Sequence, residues 1–370
     1  MKKALLFIVV LLAAGLTSCT SAMAHTVSIL AIWTAEEAAP FKHTLDELGV
    51  KYTYVGTRAA SQVLASDIQK GTPPDIAILP SPNDLARYLP KEPAKIRSGE
   101  LHPVGDVAAA DQQPWLLSNS AHRLSTVTVQ MGDKSFLWYR PPAPSEPPGL
   151  TWEKLTALKP VCLGLESLST TGWPATDWIE DILLHQSGFD FYQQWAQGKL
   201  PWTAQQVRDA WQTWGAMNDD GVAPVLTDFH SPIPTGSDCR VLHQTSDPAK
   251  NDFVRTGFPT KPGVKSAMEV AADSAGLFTD SPEAAKLVGE LAAKNAKDAA
   301  PLLSPTSGTR CFDASDLMPA PMTDAFYRAA LAYQIDHGRL GALLDDLEKT
   351  RVETAPGKWF GNDVCREGQE

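Results

Sequence analysis

The sequence is short of basic residues. Its 370 positions hold 32 lysines and arginines against 43 aspartates and glutamates, a formal charge of −11. Nucleic acid selects for basic stripes and patches, so this deficit argues against a nucleic-acid partner. Long apolar runs are also lacking: beyond the first 16 residues none could span a bilayer. The five cysteines show no C-x-x-C spacing, which argues against a zinc knuckle or a thioredoxin-type centre. The eight histidines are scattered without metal-ligand spacing. No G-x-S-x-G, H-E-x-x-H or glycine-rich phosphate loop is present. No metal and no cofactor are expected. There is no internal repeat and no low-complexity segment.

What is present begins with a leader. Lys2 and Lys3 precede an apolar run from Ala4 to Leu16, and small residues follow, the pattern of a secretory signal. Two cleavage sites compete within residues 1–24. "LTSC" (Leu16 to Cys19) has the form of a bacterial lipobox that would place a lipid on Cys19. "AMA" (Ala22 to Ala24) has the form of an ordinary signal-peptidase site that would leave His25 first. The lipobox is preferred, giving a chain anchored to a membrane and folded in water. About 350 residues remain, more than one hydrophobic core usually organises, so two domains are expected. Outside the cytoplasm Cys162, Cys239, Cys311 and Cys365 should form two disulfides, and four cysteines permit three pairings.

From Thr26 strands alternate with helices. "TVSILAIW", "VKYTYVGT" and "PDIAILPS" have strand patterns. "AEEAAPFKHTLDELG" and "RAASQVLASDIQKG" between them have helical spacing and end on glycine. This βαβαβ order predicts an α/β lobe with a parallel sheet, whose ligand site lies at the carboxyl ends of the strands: Trp33, Arg58 and Pro80–Ser81. "STVTVQMGDKSFLWYRPP" predicts two strands around a Gly–Asp turn, and "VCLGLES" a further strand. "TAQQVRDAWQTWGAM" predicts a helix with Thr203 and Gln206 as a capping box. "SPEAAKLVGELAAK" predicts another, with Ser281 as N-cap and Pro282 in the first position. The chain ends in helices.

"ESLSTTGWPATDWIEDILLH" (Glu166 to His185) concentrates hydroxyls, carboxylates and two tryptophans at a helix start. Trp178, Ile179, Ile182 and Leu183 form one apolar stripe, so Trp178 is read as core; Asp177, Glu180 and Asp181 lie off it. Trp173 stands outside the apolar period and can stack on a sugar ring. Asp177 is divided between the helix dipole and a ligand. Trp195, Trp202, Trp211 and Trp214 are read as core. Glu166 and Asp177 could also be a glycosidase acid–base pair, the basis of an alternative reading as a carbohydrate-active enzyme. A sugar sensor that does not serve transport is a third.

These residues, taken in order, resemble a family. "SILAIWTAEE", "YVGTRAASQVLASDIQKGTPPDIAILPSP", "FLWYRPP", "GLESLSTTGWPATDWIEDILL", "DCRVLHQTS" and "FDASDLMPAPMTDAFYRAALAY" are similar to successive motifs of the solute-binding proteins of carbohydrate ABC importers, particularly the alpha-glucoside/oligosaccharide branch. The likeness runs from about Ser28 to Leu347 and thins after Thr245. It implies a two-lobed periplasmic-binding-protein fold of α/β class, each lobe a mainly parallel sheet flanked by helices and joined by crossover strands. Residues 25–127, with part of 265–310, would form the first lobe, and 128–264 the second. Residues 311–370 would complete the second with helices. It implies Cys162 pairing with Cys239 and Cys311 with Cys365. It implies Trp33, Arg58, Trp173, Asp177 and Asp316 as cleft residues, to which the reading of the strand end adds Glu166. The implied partners are a sugar or oligosaccharide and the transmembrane subunits of an ABC permease, met by a monomer, without catalysis.

Overall fold

The computed structural model of the protein describes residues 25–35, 37–92, 94–104, 124–141, 150–219, 221–231, 238–244, 252–303 and 308–367. The expected leader, with Cys19 and both cleavage sites, lies outside the described residues.

Strand β1 (Val27–Ala31) lies between β2 (Tyr52–Gly56) and β3 (Ile76–Leu79), parallel to both. Helices α1 (Ala39–Glu47) and α2 (Ala60–Gln69) make the crossovers. Each buries a leucine, Leu45 or Leu64, and each is followed by a glycine at positive φ, Gly49 or Gly71, where a side chain would be strained. The continuous apolar run of β3 is fully buried, as a central strand requires. A short helix α3 (Pro82–Ala86) follows, capped by the Ser81 hydroxyl on the Asp84 amide.

The chain then crosses to its second half through β4 (Thr126–Asp133) and β5 (Phe136–Tyr139), which belong to different sheets. The second half packs α4 (Trp152–Ala157), α5 (Trp173–Ser187), α6 (Phe189–Ala196) and α7 (Gln205–Met217) with β6 (Val241–His243) and β7 (Val254–Gly257). Strand β8 (Ala267–Leu277) returns, and α8 (Pro282–Leu303), capped by the Ser281 hydroxyl on the Ala284 amide, closes over the first half. Strand β9 (Thr309–Phe312), helices α9 (Ala314–Leu317), α10 (Ala320–Ile335) and α11 (Leu340–Glu353), and β10 (Cys365–Arg366) finish the chain.

Two hydrophobic clusters define the lobes. One gathers Leu30, Ile76, Ile78 and Leu64 with Leu287 and Leu291 of α8. The other is aromatic, with Trp178, Trp195, Trp202, Trp211, Trp214, Tyr192, Phe326 and Tyr333, so these tryptophans are core as expected. Strand β8 is shared: its first part pairs parallel with β9 and its last part antiparallel with β3, while β4 runs antiparallel along the other edge. Val270 and Ala272 enter the second cluster, Ala275 and Leu277 the first. The boundary placed between 127 and 128 therefore falls inside β4.

Several local expectations are corrected. In the second lobe β5 pairs antiparallel with both β6 and β7; among the described residues its parallel relations are the β8–β9 pairing and the isolated bridges of Val161 to Val241 and Glu166 to Asp228. The segment 161–167 is not a regular strand: the Leu165 and Glu166 amides bond the carbonyls of Pro224 and Thr227, and the Ser167 amide bonds the Thr171 hydroxyl, in place of a ladder. Helix α7 starts at Gln205 with Ala204 as its cap residue and no side-chain cap; Thr203 sits in the turn before it. The disulfides, by contrast, pair as the resemblance implied, Cys162 with Cys239 and Cys311 with Cys365.

Candidate functional site

A cavity of about 830 Å³ lies between the lobes. The β4/β8 ribbon forms one wall through Gln130, Met131, Gly132 and Ala271–Asp273. The carboxyl ends of the first three strands contribute Trp33, Arg58 and Pro80, where a parallel sheet presents free loop ends. The second lobe contributes Trp173, Asp177, Phe229 and His230, and the α9 region Asp313, Ser315 and Asp316.

Five of the six residues singled out in the sequence line this space; Glu166 does not. Its Oε1 accepts the Leu168 amide at 2.9 Å, and its backbone bridges Asp228, so the carboxylate serves its own loop. Trp33 donates from Nε1 to Asp273 Oδ2 at 3.0 Å and packs on Phe41. Trp173 opens α5 after Gly172, whose backbone adopts φ 111° where an added Cβ would meet the Tyr327 carbonyl at 2.8 Å. The Trp173 ring stands edge-on to Phe229, centroids 5.1 Å apart.

Helix α5 departs from a simple amphipathic reading. Every residue from Ala175 to His185 is buried, including Asp177, Glu180 and Asp181. Polar partners make this tolerable. Lys134, at the junction of β4 and β5, places Nζ 2.7 Å from Asp177 Oδ2 and also bonds Asp313. Asp181 receives Ser135 and lies 3.0 Å from His243 Nε2. Glu180 Oε2 accepts the amides of Ala314 (2.8 Å) and Ser315 (3.2 Å), and Glu269 Oε2 accepts the Tyr192 hydroxyl at 3.0 Å.

One lysine cannot neutralise so many buried carboxyls, and their proton affinities respond. Burial lifts Asp177 to about 6 against the pull of Lys134, and lifts Asp273 to about 6 against Trp33 and Arg58. Burial, reinforced by the Asp313 charge, raises Glu180 and Asp316 well above the carboxylate range; burial and Asp181 do the same to Glu269. Asp313 is held low: burial is outweighed by Lys134, the Ser315 hydroxyl and the Asp316 amide. Glu180, Glu269 and Asp313 are the one set among the described residues whose oxygens, within 4.8 Å of one another, could hold a metal ion. Within that set Lys134 bonds Asp313, and burial raises the proton affinity of both glutamates.

At the outer lip Arg58 bonds Glu37, and its guanidinium lies 4.7 Å over the Phe229 ring across the cleft. Ser169 Oγ donates to the Arg58 carbonyl at 2.8 Å. On the other side Ser81 Oγ and Asn83 Nδ2 donate to the carbonyls of Asp316 and Met318, both at 2.5 Å. Lys134, Asp273, Glu37 and His230 were not singled out in the sequence; each owes its place to a residue far away in the chain.

The cavity lies between two lobes at the carboxyl ends of strands, where open α/β sheets bind ligands. The model of the bacterial extracellular solute-binding protein family matches residues 46–233, just over half of the chain. The chain belongs to that family. It is accordingly an exported, extracytoplasmic protein, and among its described residues no helix is long and apolar enough to cross a membrane. The alpha-glucosides-binding periplasmic protein AglE of Rhizobium meliloti (strain 1021) is 32% identical over 64% of this chain and 57% of its own length. The osmoprotective compounds-binding protein GgtB of Synechocystis sp. (strain ATCC 27184 / PCC 6803 / Kazusa) is 26% identical over 83% of this chain and 88% of its own. The alignment thus spans under three fifths of the AglE relative. A solved chitin oligosaccharide binding protein superposes with a TM-score of 0.66 at 14% identity, over 89% of this chain and 98% of its own, which establishes the shared fold.

Proposed function

We propose that this solute-binding protein captures a short oligosaccharide or a related polyhydroxylated solute in the interlobe cavity and delivers it to the transmembrane subunits of an ABC permease. The observation that carries the reading is the pairing of indoles with carboxylates in one cavity: Trp33 and Trp173 beside Asp177, Asp273 and Asp316. Aromatic rings offer the apolar faces of a sugar a surface, and the carboxyls accept or, when protonated, donate to its hydroxyls. The volume suits a ligand of a few rings. Relatives whose names describe alpha-glucosides and osmoprotective compounds support the same class.

The mechanism is hinge closure about the β4/β8 ribbon. Ligand contacts both lobes only in the closed state, and its differential affinity for that state shifts the population. No chemistry is required of the site, and we assign the chain no catalytic role. The Glu166–Asp177 pairing has no support in the cavity, because Glu166 is turned to Leu168. We further propose that the mature chain is a monomer held at the extracytoplasmic membrane face by lipid on Cys19.

A calorimetric and thermal-shift screen of malto-oligosaccharides, trehalose, sucrose and glucosylated polyols tests the reading. Saturable one-to-one binding with no released product is expected. Turnover of a glycoside panel, or no binding across the screen, overturns it.

A further inference from the structure

His230 is a polar group at the cleft lip that ligand capture leaves unused. It belongs to the second lobe, following the bridge between Glu166 and Asp228. Its Nε2 lies 2.8 Å from Glu37 Oε1 of the first lobe, and its Nδ1 lies 3.2 Å from Asp228 Oδ1. Arg58, also of the first lobe, places Nη2 2.9 Å from the same Nε2. Glu37, Arg58 and Asp228 are the charged groups facing the ring; Glu166 turns its carboxylate to the Leu168 amide.

A neutral imidazole has one N–H and one lone pair, and only the imidazolium donates from both nitrogens. A carboxylate on each ring nitrogen is fully served only when both carry a proton; Arg58, which can only donate, is served by an Nε2 lone pair instead, so protonating Nε2 exchanges the Arg58 donor for the Glu37 acceptor. Glu37 is available as the acceptor. Burial would raise its carboxyl, but bonds from His230 and Arg58 outweigh burial and hold it below the ordinary value. The Glu37–His230 contact joins the lobes directly and sits at the solvent edge, with His230 43% exposed against 7% for Asp177 on the cavity floor.

We infer that His230 is a positioning residue for closure: its protonated ring draws Glu37 across the mouth of the cleft, so that mild acid favours the closed receptor and tightens capture. This rests on the proposed capture by closure, and it adds that the receptor is biased toward closing before any ligand arrives. Histidine is the side chain whose charge changes over the near-neutral range, so an extracytoplasmic receptor would follow the acidity around it.

The test is made on the full chain without ligand. Spin labels at Val55→Cys and Leu226→Cys, exposed positions on opposite lobes, report the interlobe distance by pulsed electron resonance. Between about pH 8 and 5.5 the closed-to-open ratio should rise about three- to fivefold, the scale of one partly exposed ion pair. His230→Gln can still donate to Glu37 but does not titrate, and should abolish the response while the protein stays folded. A wild-type ratio that does not change with pH, or a response that survives His230→Gln, overturns the inference. Because no sugar is added, failure of the sugar screen would not alter this outcome. Sugar binding with pH-independent closure would refute this inference alone.

Discussion

Lys134 Nζ lies 2.7 Å from Asp177 Oδ2 on the floor of the cleft, where β4 gives way to β5. That one ammonium also serves Asp313, and both carboxylates are buried. The first strand segment past the hinge is thereby tied to the start of α5 and to the cap of α9.

Removing the ammonium leaves two buried carboxyls without their cation. Lys134→Ala should cost about 3–5 kcal/mol, the scale of a broken buried pair. Urea unfolding of the two proteins, compared at equal slope, measures it. A loss under 1 kcal/mol would show that water or protons compensate Asp177 and Asp313 without Lys134.

Trp173 and Trp178 lie five residues apart on α5 and should respond oppositely. Trp178 is fully buried against His243 and Phe258, so Trp178→Ala should lose about 3–5 kcal/mol of stability. Trp173 is half-buried in the cavity wall. Trp173→Ala should leave the melting temperature nearly unchanged and abolish ligand-induced quenching of tryptophan fluorescence. Intact binding in that variant would remove Trp173 from the site.

Asp273 gives a pH dependence with a defined sign. Burial lifts its carboxyl to about 6, so the folded protein holds a proton that the unfolded chain releases earlier. The folded state binds more protons over that window, and the contribution to stability falls as pH rises from the ordinary carboxyl range to about 6. Asp273→Asn keeps an acceptor for Trp33 Nε1 and removes the ionisable group. It should gain about 1–3 kcal/mol near pH 7.5 and lose its advantage below about pH 4, in denaturant titrations at both values. Equal stability at the two pH values would mean that the group is already solvated.

The Cys162–Cys239 bridge closes a sequence separation of 77 residues beside Trp138 and Phe253. Replacing both cysteines with serine should cost about 2–5 kcal/mol of second-lobe stability. Hydrogen exchange would locate the loss around β5 and β6, with the first lobe unchanged.

The first lobe is legible in sequence because its elements are short, each with its own period and stop. The β1–α1–β2–α2–β3 order follows from alternating apolar runs and from Gly49 and Gly71. The aromatic core of the second lobe is legible because Val207, Ala210, Trp211 and Trp214 recur at helical spacing. Periodicity fails at α5. It shows the apolar stripe and leaves Glu180 and Asp181 outside it, although both are as buried as Ile182. Their partners come from remote segments: Tyr192 on α6, the Ala314 and Ser315 amides, Ser135 and His243. Lys134 looks like an ordinary loop residue until Asp313, 179 positions on, is placed beside it. Glu37 and His230 are 193 apart and carry no mutual signal in one sequence. Glu166 is a local case instead: its carboxylate turns to the Leu168 amide two residues on, a contact that one sequence does not distinguish from a place in the cavity wall.

The sharing of β8 governs the order in which the molecule can be completed. Ile76–Leu79, entirely buried, need Ser274–Leu277 along one edge, and the first lobe also needs α8 laid over it. A fragment cut at residue 127 would expose that apolar edge and should self-associate instead of folding. During synthesis or export the lobe that begins at Val27 waits for about 250 residues, until Leu277 at the end of β8, before its sheet can close, and the second lobe is being assembled in the meantime.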